Sequence, residues 1–293
     1  MASRNAPFEP GAEPLHWRAL PIRQRTIILG VVNTTPDSET GNAVGSDPAR
    51  AVELGLRLVA EGADALDVGG ESTRPGFTPV SAADEIARVV PAIQALARAG
   101  SVPISIDTMK AAVATAALEA GATIVNDVSG LRADPAIAAI AAKHGAALIL
   151  GHWARAEWGT TVGDHEDPVG LIVTRLAASV DRAIAADVGL DAILVDPGLG
   201  FGTRPEVSLA LVRQLDRIAA IGYPVVVGPS RKGFVGRVLG VPASDDWEGA
   251  AALVALAITR GARVVRVHDV HRLARVVRMT EAIAMAGSKA TGA

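Results

Sequence analysis

Eight short apolar runs, each stopped by a polar residue or a glycine, punctuate the chain. Residues 27–32 end at Asn33, 65–68 at Gly69-Gly70-Glu71, 104–106 at Asp107, and 123–125 at Asn126-Asp127. Residues 146–150 end at Gly151-His152, 193–195 at Asp196, 225–227 at Gly228-Pro229-Ser230, and 264–267 at His268-Asp269. Runs this short, rich in β-formers and closed by turn residues, read as buried strands. Between them lie stretches with helical character: 48–61, 82–99, 111–120, 135–143, 169–186, 205–220, 247–259 and 271–285. Pro205 suits a first helical position, and Val207, Leu211, Leu215 and Ile218 follow at helical spacing. Strands alternating with helices imply a parallel sheet, because parallel neighbours need a crossover. Eight such units in one domain imply an α/β fold, the closed (β/α)8 TIM barrel. A doubly wound open sheet is the alternative. The unit lengths differ too much for a fixed-length repeat.

The 293 residues suit this reading, since such a barrel takes about 250. The barrel is expected over 27–286, after a partly flexible leader (1–26, with a short strand near 17–22) and before a tail at 287–293. Apolar residues make up 49%, enough for a large core. A net charge of −3 argues against a nucleic-acid footprint. With no cysteine there can be no disulfide, thiolate chemistry or cysteine-based zinc site. No apolar stretch is long enough to span a bilayer. The expectation is a cytoplasmic protein without a membrane or nucleic-acid partner.

Barrel closure would gather Asn33, Asp107, Asn126, Asp127, His152, Asp196, Lys232, Arg266 and His268 around one mouth. The strand interiors carry almost none of this chemistry, which favours a ligand site over eight separate turns. Asp107, Asn126 and Asp196 are rich in acceptors and suit a flat heterocycle with adjacent N–H donors. Metal binding by the two aspartates is a rival, since magnesium and calcium prefer oxygen. Asp196 before Pro197-Gly198 is equally a turn former. Asp127 reads as a structural hydrogen-bonding residue and stays outside the site. Gly228 to Phe234 follows the seventh strand and includes Ser230, Arg231 and Lys232; Arg266 and His268 close the eighth. Barrels often hold phosphate there, although a solvated basic rim would look the same. Residues 34–47 and 71–80 are long connections at the same mouth, suited to binding loops. Asp164-His165-Glu166-Asp167 has no spaced partner histidine and reads as solvated. The glycines at 198, 200 and 202 do not have dinucleotide-fingerprint spacing.

Taken in order, these stretches resemble dihydropteroate synthases over nearly all of 27–286. The resemblance is carried by Gly30 to Ser38, Asp67 to Gly76, Ser105 to Thr108, Asn126 to Val128, Asp196 to Gly202, Ser230 to Lys232 and Arg266 to Asp269. It implies a barrel transferase, a sulfonamide target in folate synthesis. The reaction joins 6-hydroxymethyl-dihydropterin diphosphate to 4-aminobenzoate, giving dihydropteroate and pyrophosphate. It also implies that Asp107, Asn126, Asp196 and Lys232 hold the pterin, with Phe201 and Gly228 lining its pocket. Asn33, Arg266 and His268 would hold the diphosphate, with Mg2+ near Asn33. Thr73 and Arg74 would belong to the second loop, and Ser230 would lie near the aminobenzoate. A homodimer is the family's tendency.

Two departures from the family pattern bear on the second substrate. The family follows Thr-Pro-Asp-Ser with Phe, where this chain has Glu39-Thr40-Gly41-Asn42-Ala43. Strand five ends Gly151-His152-Trp153 in place of Met-His, a loss of bulk that Trp153 could offset. Two rivals stay open: a pterin-binding paralogue with weak or no synthase activity, and a methyltetrahydrofolate-corrinoid methyltransferase. The latter has no diphosphate to hold, which Lys232, Arg266 and His268 together argue against.

Overall fold

All eight apolar runs form strands: β1 (Ile27–Asn33), β2 (Ala65–Gly69), β3 (Ile104–Asp107), β4 (Ile124–Asp127), β5 (Ala147–Gly151), β6 (Ile193–Asp196), β7 (Val225–Val227) and β8 (Ala262–Val267). In the computed structural model each pairs in parallel with the next, and β8 pairs with β1, closing the barrel. The structure describes residues 16–35, 44–45, 47–72, 78–100, 102–155, 162–242 and 245–286. Thr73, Arg74 and 39–43 lie outside them.

The helices surround the barrel: α1 (Pro48–Glu61), α2 (Ala82–Ala99), α3 (Ala111–Glu119), α4 (Ala136–His144), α5 (Pro168–Ala185), α6 (Pro205–Arg213), α7 (Leu215–Ala219), α8 (Gly233–Leu239), α9 (Trp247–Thr259) and α10 (Val270–Met285). Local chemistry sets several ends. Asp47 caps α1 by accepting from Ala49, with Pro48 in the first turn. Ser81 caps α2. Gly62 ends α1 with a left-handed φ of 115°.

Strands buried on both faces explain the nearly continuous apolar runs. Ile28, Leu29, Ile104, Ile106, Leu148, Leu150 and Val225 are at most 2% exposed. Burying a side chain of this size contributes about 1.5–3 kcal/mol. Gly55 of α1 permits close contact with α2, because a Cβ there would overlap Leu96.

Two local expectations are corrected, and one further helix is found. Residues 205–220 form two helices, α6 and α7, broken at Gln214 (φ −116°, ψ 31°). Apolar spacing persists across a break that only dihedrals reveal. The loop after β7 contains an additional helix, α8. No strand forms near 17–22; Trp17–Ala19 is a 3-10 turn. Trp17 is buried there and donates Nε1–H to the Gly145 carbonyl (3.0 Å). That bond ties the segment to the end of the barrel opposite the strand termini, where Arg25 also forks onto Asp64 (2.7 and 2.6 Å). No helix among the described residues is long and apolar enough to cross a membrane.

Candidate active site at the mouth of the barrel

Parallel register sets which strand-end residues share a level. Asn33 pairs with Gly69, Gly69 with Asp107, and Asp107 with Asn126, so these four form one tier. Gly151 pairs with Asp196 across the barrel wall. Between β7 and β8 the register slips: Val225 pairs with Ala262 but Val226 with Val264. This bulge leaves Arg263 exposed and carries Arg266 inward.

A small pocket, open to solvent, lies in this mouth. Asn126, Asp196, Phe201, Gly228, Lys232 and Arg266 line it, with Val128 and Leu199 as apolar floor. Six residues singled out from the sequence thus meet in one cavity. Asp107 joins them through Arg266, whose Nη2 donates to its Oδ2 (2.7 Å). Ser230 and His268 form a pair at the rim: the hydroxyl lies 3.3 Å from His268 Nδ1 and 3.4 Å from its backbone N. Asn33 is half-buried at the end of β1.

One essential neighbour sits where strand interiors were expected to carry almost no polar chemistry. Asp67, in the middle of β2, is fully buried. Its Oδ2 accepts from Arg266 Nε (2.5 Å) and Asn126 Nδ2 (3.2 Å). Ser105 on β3, paired with Asp67, is likewise buried. Arg266 therefore lies between two carboxylates, level with the acceptors. The sequence signal was available: a carboxylate inside an otherwise apolar strand needs a partner to be tolerated.

Charge in this cleft is tuned by burial and close neighbours. Burial pushes Asp107 up to about 7; Arg266 opposes the rise, and Asp67 and Glu85 add to it. Burial also raises Asp196, against the Gly198 N–H and the Lys232 charge. Lys232 is lowered to about 8 by burial and by Arg266, with Asp196 and Asp107 pulling the other way. Although burial works against its charge, Asp67 and Asp107 hold Arg266 above its ordinary value.

Lys232 Nζ stands 4.0 Å above the Phe201 ring, a cation–π contact. Trp153 meets Phe201 edge-on, at 5.7 Å and 72°. The glycines of the 198–202 turn let that ring approach. Gly198 and Gly202 have φ of 73° and 70°, and a Cβ on them would overlap the carbonyls of His152 and Ala154. Gly151 is required for a similar reason: a Cβ there would run into the Val128 backbone. The bulk missing at position 151 is thus occupied by the β4 loop, while Trp153 backs the aromatic wall.

Two other sequence readings resolve cleanly. Asp127 accepts from the backbone N–H groups of Ser129 (2.8 Å) and Leu131 (2.6 Å), a structural role. His152 is buried and lowered to about 3 by burial and the fields of Arg175 and Arg132, hence neutral at neutral pH. The stem of the second loop holds a cluster the sequence did not suggest. Lys110 Nζ donates to Glu71 (2.6 Å) and Glu85 (2.5 Å), and Glu71 also accepts from Val80 N–H (2.8 Å).

Among the described residues, no three His, Cys, Asp or Glu side chains are grouped to hold a metal. Asn33 and Asp107 flank a gap left by Gly69: a Cβ there would lie 3.8 Å from Asp107 Oδ2 and 4.0 Å from Asn33 Oδ1. Such hard oxygens suit an ion that keeps most of its water or arrives with a phosphate.

Comparison with known proteins finds relatives over most of the chain. A family described as pterin binding enzyme matches residues 29–268. The dihydropteroate synthase of Bacillus subtilis is 38% identical over 265 residues, 90% of this chain and 91% of that protein. That of Mycobacterium leprae is 45% identical over 251 residues, 83% of this chain and 88% of the relative. The solved structure of Xanthomonas albilineans dihydropteroate synthase with 4-aminobenzoic acid superposes with a TM-score of 0.82 at 35% identity, covering 89% of this chain and 94% of that one.

Proposed function

The chain belongs to the dihydropteroate synthases, within the pterin binding enzymes, and from that premise we propose how its own residues carry out the condensation. The observation that carries the assignment of roles is the single pocket in which Asn126, Asp196, Phe201, Gly228, Lys232 and Arg266 converge. Its walls offer acceptors beside a flat aromatic face, which suits a pterin ring. Asp196 Oδ1 is taken by the Gly198 N–H (2.8 Å), and Oδ2 has no hydrogen-bond partner among the described residues. That oxygen accepts from the pterin's N–H edge. Asn126 gives its amide N–H to Asp67, so its carbonyl oxygen is left to accept from the ring. Phe201 covers one face of the ring under Lys232.

The pterin methylene loses diphosphate, and the C–O electron pair departs with the leaving group. Positive charge on the methylene spreads into the ring, favoured by the carboxylates of Asp196 and Asp107. The amine of 4-aminobenzoate forms the new C–N bond and sheds a proton to solvent. Arg266, His268 and Asn33 steady the departing charge. Ser230, beside His268, faces the incoming amine's side of the rim, and Thr73 and Arg74 act from the second loop. No enzyme nucleophile takes part.

Magnesium belongs to this proposal as a companion of the diphosphate. Asn33 would hold it beside the Gly69 gap, where its charge would ease departure of the leaving group. A homodimer is the proposed assembly. Leu256 on α9 and Met279 and Ile283 on α10 are 49%, 62% and 62% exposed on adjacent helices, an apolar face that a second copy would cover.

The deciding assay follows pyrophosphate release with pterin diphosphate, magnesium and 4-aminobenzoate, each omitted in turn. Release is expected only with all three. Release that ignores aminobenzoate would sink the condensation, and full activity in chelator would sink the role of magnesium. Asp196→Ala is expected to abolish pterin diphosphate binding in calorimetry; unchanged affinity would remove Asp196 from the site.

A further inference from the structure

Lys232 and Ser230 reach the site from a turn that is held in an uncommon backbone conformation. Arg231, between them, has φ of +55°, in the left-handed region that side chains other than glycine rarely occupy. That dihedral sets the direction of the next Cα–Cβ bond. With Arg231 relaxed to an ordinary φ, Lys232 would no longer lie along Gly200, where a Cβ would touch its Cδ at 3.4 Å, nor over Phe201. Something outside the turn has to hold it.

We propose that Asp246 is the positioning residue that does so, clamping the Arg231–Lys232 backbone so that Lys232 is delivered to the pocket. Asp246 precedes α9 at the position where an aspartate ordinarily caps its own helix. It makes no such bond. Its side chain reaches across to the β7 loop, and Oδ2 accepts from Lys232 N–H (3.1 Å). The Arg231 backbone N–H also favours the ionised form of this carboxylate. Asp246 is 5% exposed, so its acceptors have little water to turn to. Burial raises its carboxyl, opposed by the backbone N–H groups of Lys232, Arg231 and Asp246 itself and by the Arg231 charge. An aspartate that gives up its own helix cap and enters the interior to bond a strained turn acts on that turn.

The inference rests on Lys232 belonging to the pterin site, and the test keeps the two claims apart. Amide hydrogen exchange of residues 229–236 is measured on the ligand-free protein, and pterin diphosphate affinity by calorimetry. Asp246→Ala is expected to speed exchange of the turn and to weaken affinity about tenfold, the scale of one residue's left-handed cost. Asp246→Asn keeps an acceptor oxygen and is expected to stay within about threefold of wild type. Asp246→Ser can cap α9 itself, so it preserves the fold while releasing the turn, and it stands in should the alanine variant not fold. Adding Arg231→Gly to Asp246→Ala is expected to restore most of the affinity, because glycine takes this φ freely. Unchanged exchange in the alanine and serine variants would overturn the proposal, as would a double variant no better than Asp246→Ala. If wild type binds no pterin diphosphate, the functional reading fails, while the exchange measurement still decides whether Asp246 holds the turn.

Discussion

Asp67 shows how much a single buried residue determines here. One oxygen orients both the Asn126 amide and the Arg266 guanidinium, from positions 59 and 199 residues away in sequence. Removing it leaves buried donors unpaired, which costs about 1–3 kcal/mol each. Asp67→Ala is therefore expected to weaken pterin diphosphate binding by at least tenfold, read by calorimetry; affinity equal to wild type would show that Asn126 and Arg266 need no such support. The shifted pKa values give a second expectation. The competent free site has Asp107 ionised and Lys232 protonated. Asp107 gains its proton as pH falls through about 7, and Lys232 loses its own as pH rises through about 8. The kcat/KM for pterin diphosphate should peak between these values and fall on both sides. A profile flat across that range would contradict these roles.

Among the elements, the loop after β2 is held at its stem by Lys110 at the start of α3. Its ammonium joins Glu71, where the loop begins, to Glu85 on α2, and Glu71 in turn holds Val80, where the loop ends. Glu85 is 1% exposed, so losing its partner strands a buried charge. Lys110→Met should destabilise the protein by about 3 kcal/mol in urea unfolding, the low end for a broken buried pair because Lys110 is partly exposed. A loss well under 1 kcal/mol would mean that water serves Glu85 as well. Element boundaries followed local rules where caps and breakers act. α1 and α2 lie where spacing and cap residues put them, and α9 and β7 where the apolar pattern does. α8 and the break at Gln214 escaped, because seven residues of helix and one kinked position leave almost no periodic trace.

At the scale of the whole molecule, closure of the barrel turns eight strand ends into one cavity and places Trp17 at the far end. The apolar face of Leu256, Met279 and Ile283 belongs to this scale as well. If the proposed homodimer uses this face, replacing Ile283 with Asp puts a charge in it, and sedimentation velocity should then find less dimer than for wild type. Identical sedimentation of the two proteins would place any interface elsewhere.

The eight strands, their alternation with helices, the barrel, and the polar residues at the strand ends were determined by sequence alone. The physical reason is local: burial on both faces demands unbroken apolar strands, so any polar residue at their ends stands out. Which of those residues touch was decided only by the closed structure. Asp67 looked like part of an apolar run, Arg266 like part of a separate basic rim, and Asp246 carried no signal of its own. Each found its partner across the fold, because an ionised side chain shielded from water is stable only beside complementary groups, and no local pattern in the chain says where those will be.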